Sequence, residues 1–157
     1  MSFKDWRQRL EIALAGQTLS SEQWQKLSRL AIVSDFAIDV LAQQPEIIHD
    51  LDSPLSSLSL PEGQESDWPK QIRHWRRAQS VKLIWRDVTG LDSVEQTLAG
   101  STWIAEQALT AGFDGILASM KKVHGTVRCE QGAEQFMVIL GLGKLGGGEL
   151  NFSSDVD

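Results

Sequence analysis

Apolar residues recur at helical spacing over roughly the first 125 positions of the chain, and this period ends at Gly125. The spacing predicts amphipathic helices that each bury one face. Two long helices are expected, one from about Lys70 to Thr89 and one starting at Val94. The second span contains three glycines, each costing about 1 kcal/mol relative to alanine, so it predicts a bend or break. The glycines are Gly100, Gly112 and Gly115.

Local signals mark where the predicted helices begin. Ser20 with Gln23, and Asp92 with Glu95, match the capping-box spacing. Ser34 suits the start of a separate helix or a kink. The serine-rich and proline-rich stretch 52–69 predicts a loop between two helical layers.

The pattern changes after Gly125. "TVRCE" is typical of a strand, "QGAEQ" of a turn, and "FMVIL" of a strand covered on both faces. A lone two-stranded hairpin is marginal in water, so we expect the sheet to use further strands beyond Asp157 in a longer polypeptide. The predicted fold class is α+β, with a helical region over 1–130 and the start of an incomplete second domain over 131–157.

Composition excludes several classes of protein. The 157 residues carry a net charge of −6, which disfavours a general nucleic-acid surface. The single cysteine, Cys129, forms neither an internal disulfide nor a zinc site with neighbouring ligands. The longest apolar run is too short to cross a membrane, and the N-terminus lacks a signal-peptide pattern. We therefore expect a cytoplasmic protein that binds neither membrane nor nucleic acid.

The glycine-rich stretch "GLGKLG", over 141–146, has three interpretations. It matches the dinucleotide fingerprint GxGxxG, but the residues that follow are too few for the crossover helix that a Rossmann site needs. A Walker A loop is excluded because Leu145 stands where Ser or Thr must bind magnesium. The third interpretation combines the loop with "SSDVD", at 153–157.

Asp155 and Asp157 would share one face of an extended segment, about 6–7 Å apart, while Val156 points the other way. Two such carboxylates repel until a cation bridges them, and magnesium characteristically binds one or two carboxylates together with substrate phosphates. Glycine N–H groups unobstructed by side chains suit phosphate oxygens. The combination predicts metal-assisted chemistry at phosphorus.

The whole stretch "GLGKLGGGELNFSSDVD" resembles the signature of the glutamine synthetase adenylyltransferase family. A weaker similarity covers "IRHWRRAQSVKLIWRDVTGLDSVEQTLAGSTWIAEQAL". These bifunctional enzymes contain two nucleotidyltransferase domains of the DNA polymerase beta type. The sequence "ELNFSSDVD" is similar to that of the N-terminal half. In that half, phosphate releases AMP from glutamine synthetase as ADP. The other half attaches AMP from ATP. The resemblance also implies glutamine synthetase and the PII signal protein as partners.

Carried over by residue, the resemblance implies that Asp155 and Asp157 are catalytic carboxylates that bind Mg²⁺, and that Gly146 and Gly147 form a phosphate-facing turn. Ser153 and Ser154 would lie beside the metal strand, with Ser153 on the face of the aspartates. The superfamily also needs a third carboxylate on a later strand. We therefore expect the chain by itself to be catalytically silent.

Less specific features leave alternatives open. Lys144 would contact phosphate or be solvated, and Glu149 suits a structural role in the turn. Several cations follow one helix, either facing an acidic partner or nucleotide or forming a solvated face; they are Arg73, Arg76, Arg77, Lys82 and Arg86. The alternative for the whole chain is a helical binding or regulatory module with an inactive nucleotidyltransferase remnant.

Overall fold

A computed structural model describes residues 5–61, 63–152 and 154. The helices, in chain order, are α1 (Asp5–Ala13), α2 (Ser21–Val33), α3 (Asp35–Gln43), α4 (Trp68–Val88), α5 (Val94–His124) and the single turn α6 (Gly143–Gly146). Two 3₁₀ helices, Pro45–Asp50 and Glu65–Asp67, lie between α3 and α4. The helical part of the predicted fold class is confirmed.

Side-chain caps set two of the helix starts as predicted. The Ser20 hydroxyl accepts a hydrogen bond from the Gln23 N–H at 3.1 Å, and the Gln23 side chain accepts from the Ser20 N–H at 2.8 Å. The Ser34 hydroxyl likewise accepts from the Ala37 N–H at 3.1 Å. Because Ser34 caps α3 directly after α2 ends, the chain changes direction there without a loop.

The main core lies where α1, α2, α3 and the first 3₁₀ helix pack on the second half of α4. Each of these helices contributes side chains that are almost completely buried, and each such side chain stabilises the fold by about 1.5–3 kcal/mol relative to an exposed one. They include Leu10, Leu27, Leu30, Val40, Leu41 and Val81.

Helices α4 and α5 pack as a close antiparallel pair. A Cβ at Gly100 would lie 2.6 Å from Leu83 Cδ1, and one at Gly115 would lie 1.9 Å from Trp68 Cζ3. The expected break in α5 is wrong, since the helix runs without interruption from Val94 to His124, and the expected bend stays a prediction. The glycines allow α4 to approach, and this packing outweighs their local helix cost.

The turn between α4 and α5 differs from the prediction by one residue. Asp92 accepts two hydrogen bonds from the Arg86 guanidinium, at 2.8 and 2.6 Å, so its carboxylate is not the cap. Ser93 takes that role and forms a capping box with Gln96. The hydrogen bond to Asp92 also raises the pKa of Arg86.

Three indole groups of α4 hold the predicted loop. Trp85 donates to Asp52 Oδ1 at 2.7 Å, Trp75 donates to the Ser56 carbonyl at 2.9 Å, and Trp68 donates to the Pro61 carbonyl at 2.9 Å. The loop therefore runs antiparallel to α4. Its backbone carbonyls, which no regular element satisfies, find donors on the helix.

The β part of the predicted fold class needs correction. In the described part of the chain no strand forms, and the pairing between "TVRCE" and the residues after the turn is a single bridge, Arg128 with Glu134. The "FMVIL" residues are 51–77% exposed. A strand needs a neighbour for its backbone hydrogen bonds, and the described residues supply none along 136–140.

The predicted strand that carries Asp155 and Asp157 lies outside the described residues. Across the part that the structure describes, no helix is both long enough and apolar enough to span a membrane.

The ammonium group of Lys82 is buried, with its side chain 3% exposed, and donates to Asp50 Oδ2 at 2.7 Å. This bond, followed by one from Ser53, lowers the pKa of Asp50 below the usual 3.8. Because the pKa is lower in the folded state, the pair stabilises the fold fully above about pH 3.8 and loses this effect as the pH falls further.

Two glycines of α5 give a matched stability test. At Gly112 an added Cβ would lie 3.8 Å from Ile72 Cδ1, an ordinary contact, so Gly112→Ala should stabilise the protein by about 1 kcal/mol. Gly115→Ala should destabilise it by about 1–3 kcal/mol, because the Trp68 ring must move. Urea unfolding of both variants checks this, and equal shifts in midpoint would contradict the close approach.

Asp50→Asn should destabilise the protein by about 1–2 kcal/mol at pH 7, because Lys82 then keeps a buried charge without a carboxylate. The figure is below that of a fully buried pair because Asp50 is 59% exposed. The double variant with Lys82→Met should recover most of the loss. Thermal unfolding at pH 7 and pH 3 measures both, and a pH-independent difference would argue against the ion pair.

Candidate functional site

The glycine-rich turn has a backbone that side chains would disrupt. A Cβ at Gly146 would lie 2.4 Å from the Gly141 carbonyl oxygen, so only glycine fits there. Gly143 and Gly148 have φ angles of +55° and +73°, in the region that favours glycine. These requirements come from the fold of the turn itself and are independent of any ligand.

The two glycines predicted to face phosphate lie at the end of α6 and are exposed. The N–H of Gly146 donates to the Leu142 carbonyl at 3.1 Å, and that of Gly147 donates to the Gly143 carbonyl at 3.0 Å. A phosphate held by these N–H groups would have to share them with the turn. Their role in phosphate binding stays a prediction.

The turn is anchored to α5. Leu145 and Leu150 are buried, and the N–H of Leu150 donates to the Thr102 hydroxyl oxygen at 3.1 Å. At the other end of the segment, Lys121 donates to the Glu134 carboxylate and lowers its pKa. Helix α5 therefore holds the segment 134–150 at both ends. No local pattern indicates a role for Thr102, because its contact lies 48 positions away.

Ser154 connects the turn to the predicted metal strand. Lys144 Nζ lies 3.3 Å from the Ser154 hydroxyl oxygen, and that hydroxyl donates to Asn151 Oδ1 at 2.6 Å. Lys144 is therefore directed towards the residue that precedes Asp155, rather than only solvated. The contribution of Asn151 was not anticipated from the sequence.

Three of the predicted site residues, Ser153, Asp155 and Asp157, lie outside the described residues, so the metal pair stays a prediction. Its chemistry fits magnesium, since carboxylate oxygens are hard ligands. Within 5–61, 63–152 and 154, no group of three or more His, Cys, Asp or Glu side chains is placed to hold a metal ion.

The cations of α4 do not form one solvated face. Lys82 and Arg86 are engaged in the ion pairs with Asp50 and Asp92. Arg76 and Arg77 instead line a cavity whose wall includes Ser154, on the side of α4 that faces the end of the described chain. The sequence indicated the charges of this helix but not their division between two surroundings.

Comparison with known proteins identifies the family. The family model described as "Glutamate-ammonia ligase adenylyltransferase" matches residues 24–157. This match includes α3, α4, α5, the glycine turn and the two C-terminal aspartates.

Several bacterial relatives carry the name "Bifunctional glutamine synthetase adenylyltransferase/adenylyl-removing enzyme". One from Stenotrophomonas maltophilia is 52% identical over 135 residues, covering 83% of this chain and 14% of its own length. One from Xanthomonas oryzae is 44% identical over 161 residues, covering 94% and 17%. One from Shewanella woodyi is 37% identical over 152 residues, covering 88% and 16%.

The chain thus spans about one-sixth of the length of the curated relatives that it matches. The match covers most of the chain, and the family model agrees with it. The chain belongs to the glutamate-ammonia ligase adenylyltransferase family.

Proposed function

We propose that this chain is part of the half of the enzyme that removes AMP from a tyrosine of glutamine synthetase. Residues 1–130 are its helical region, and residues 131–157 begin its nucleotidyltransferase domain. The proposal rests on the names of the relatives and on the position of Ser154, which contacts Lys144 of the glycine turn and directly precedes Asp155.

Asp155 and Asp157 are the residues that would hold Mg²⁺, which when bound supplies charge neutralisation at the reacting phosphorus. The chain's own contribution is position. Leu150, held by Thr102 on α5, fixes the backbone five positions before Asp155. Lys144 keeps a positive charge beside the same segment. A preorganised arrangement of this kind loses little energy in reorganisation during the reaction.

The proposed reaction is phosphorolysis. An oxygen of orthophosphate attacks the phosphorus of the adenylyl group, and the bond from that phosphorus to the tyrosine oxygen breaks. The electron pair of the broken bond stays on the tyrosine oxygen, which takes up a proton. The products are therefore ADP and the unmodified tyrosine side chain of glutamine synthetase. ATP is the AMP donor for the opposite reaction in the other half of the enzyme. Glutamine synthetase is the protein substrate, and PII is proposed as the regulatory partner.

The second candidate is a helical regulatory module with an inactive nucleotidyltransferase remnant. Its support is that the described part of the chain is mainly helical and contains no strand. Absence of phosphorolysis in the natural full-length protein would favour this candidate.

In the natural full-length protein, changing both Asp155→Asn and Asp157→Asn should lower the rate of phosphorolysis about 100-fold or more, because the metal would lose its charged ligands. Release of ADP from adenylylated glutamine synthetase, in the presence of phosphate and Mg²⁺, measures the rate.

Glu149→Gln is the matched control, because it removes an exposed carboxylate from the same segment without touching the predicted metal pair. It should keep the wild-type rate. Wild-type turnover by the double aspartate variant would contradict the catalytic assignment.

A further inference from the structure

A cavity of about 390 Å³ lies between the start of α3, the middle of α4, the first half of α5 and residues 150–152 and 154. Its walls come from four separate parts of the chain, so it exists only in the folded structure. The size suits a small ligand, and the cavity reaches the residue directly before Asp155. None of the predicted roles of the glycine turn uses it.

The charge in this cavity is positive. Of the described residues that line it, the only charged ones are Arg76 and Arg77, and no described residue forms an ion pair with either. Nε of Arg77 is buried, and no described residue accepts a hydrogen bond from it. A buried donor without an acceptor is unfavourable and rare in folded proteins, so the Arg77 guanidinium lacks an acceptor that the folded chain would normally supply.

The remaining lining suits an oxyanion. Ser80 and Ser101 bring hydroxyl groups to the cavity from α4 and α5. Leu83, Ile84 and Ile104 form apolar walls, which reduce solvent screening and strengthen the attraction between a guanidinium group and an anion. Arginine binds phosphate oxygens through two parallel N–H groups, a geometry that a single lysine does not provide.

We propose that this cavity binds a phosphoryl anion, with Arg77 as its main ligand and Arg76 at its entrance. The connection of that anion with the reaction rests on the function proposed above: the cavity would hold a phosphate group of the substrates beside the predicted metal strand.

Two sources of the anion share this chemistry. One is free orthophosphate, the nucleophile of the proposed reaction. The other is the phosphate chain of a nucleotide, for which Phe36 and Phe152 at the cavity supply aromatic surfaces able to contact the base. The ligands used in the experiment separate these two sources.

The experiment measures binding to the natural full-length protein by calorimetry in phosphate-free buffer, with orthophosphate, ADP, adenosine and acetate as separate ligands. Arg77→Gln should weaken orthophosphate, ADP or both about tenfold or more, because a charged hydrogen-bonding partner is lost. Loss for orthophosphate alone assigns the cavity to the free ion, and loss for ADP alone assigns it to the nucleotide. Adenosine binding should not change.

Matched variants separate a site from general damage. Arg73→Gln removes an exposed cation from the same helix outside the cavity and should leave all affinities unchanged. Arg76→Gln, at an exposed position, provides a second test that does not disturb the core and should weaken the same ligand as Arg77→Gln. Unchanged affinity of both variants for orthophosphate and ADP would overturn the proposal. So would a loss confined to acetate, which would indicate a carboxylate site.

Two further measurements distinguish a failure of this proposal from a failure of the proposed function. The double aspartate variant, measured without Mg²⁺, should retain Arg77-dependent phosphate binding, because the cavity ligands are intact. In turnover, Arg77→Gln should raise KM for phosphate more than it lowers kcat if the cavity holds the free ion. A protein that binds phosphate through Arg77 but catalyses no phosphorolysis would refute the function and keep the site.

Discussion

The packing of α4 against α5 depends on two glycines, because a side chain at Gly100 or Gly115 would collide with Leu83 or Trp68. This close packing fixes α5 relative to the helical core that α4 completes. Helix α5 in turn holds the chain after the glycine turn through the hydrogen bond from the Leu150 N–H to the Thr102 hydroxyl. The position of the candidate site therefore depends on a helix pair that contains none of the predicted catalytic residues.

Helix α4 contacts three different parts of the structure. One side is buried in the core through Val81 and Trp85, its indole groups hold the loop that precedes it, and two of its arginines line the cavity beside Ser154. A displacement of α4 would change its contacts in all three places, since packed interfaces change in discrete steps rather than continuously. This arrangement offers a physical route between the helical core and the segment that holds Ser154.

Most helix boundaries could be predicted because the signals are local. Ser20 and Ser34 cap helices through residues three positions away, and the apolar period needs no partner. The failures share a non-local cause. The prediction for the α5 glycines considered only their local cost in a helix, although these glycines allow the contact with α4. Asp92 matches the spacing of a capping residue, but its carboxylate pairs with Arg86. The strand at 136–140 depends on neighbours that the sequence pattern cannot supply.

For the candidate site, the motif was sufficient to identify the family, because its residues are contiguous, while the metal role of the aspartate pair stays a prediction. Thr102 could not be found in this way, since it contacts the segment from a distant helix, and Arg77 was singled out only as one of five cations on α4. Of the predicted site residues, the structure describes Gly146, Gly147 and Ser154, and only Ser154 has side-chain contacts that link it to the rest of the site.

The five residues of "FMVIL" combine high β propensity, no charge and no proline, and they lie exposed. Such a segment is a template for cross-β assembly, in which identical segments from separate molecules stack and exclude water between their side chains. Whatever surface covers this segment also protects the chain from aggregation. Burial of these five side chains and protection from self-association are thus one and the same requirement.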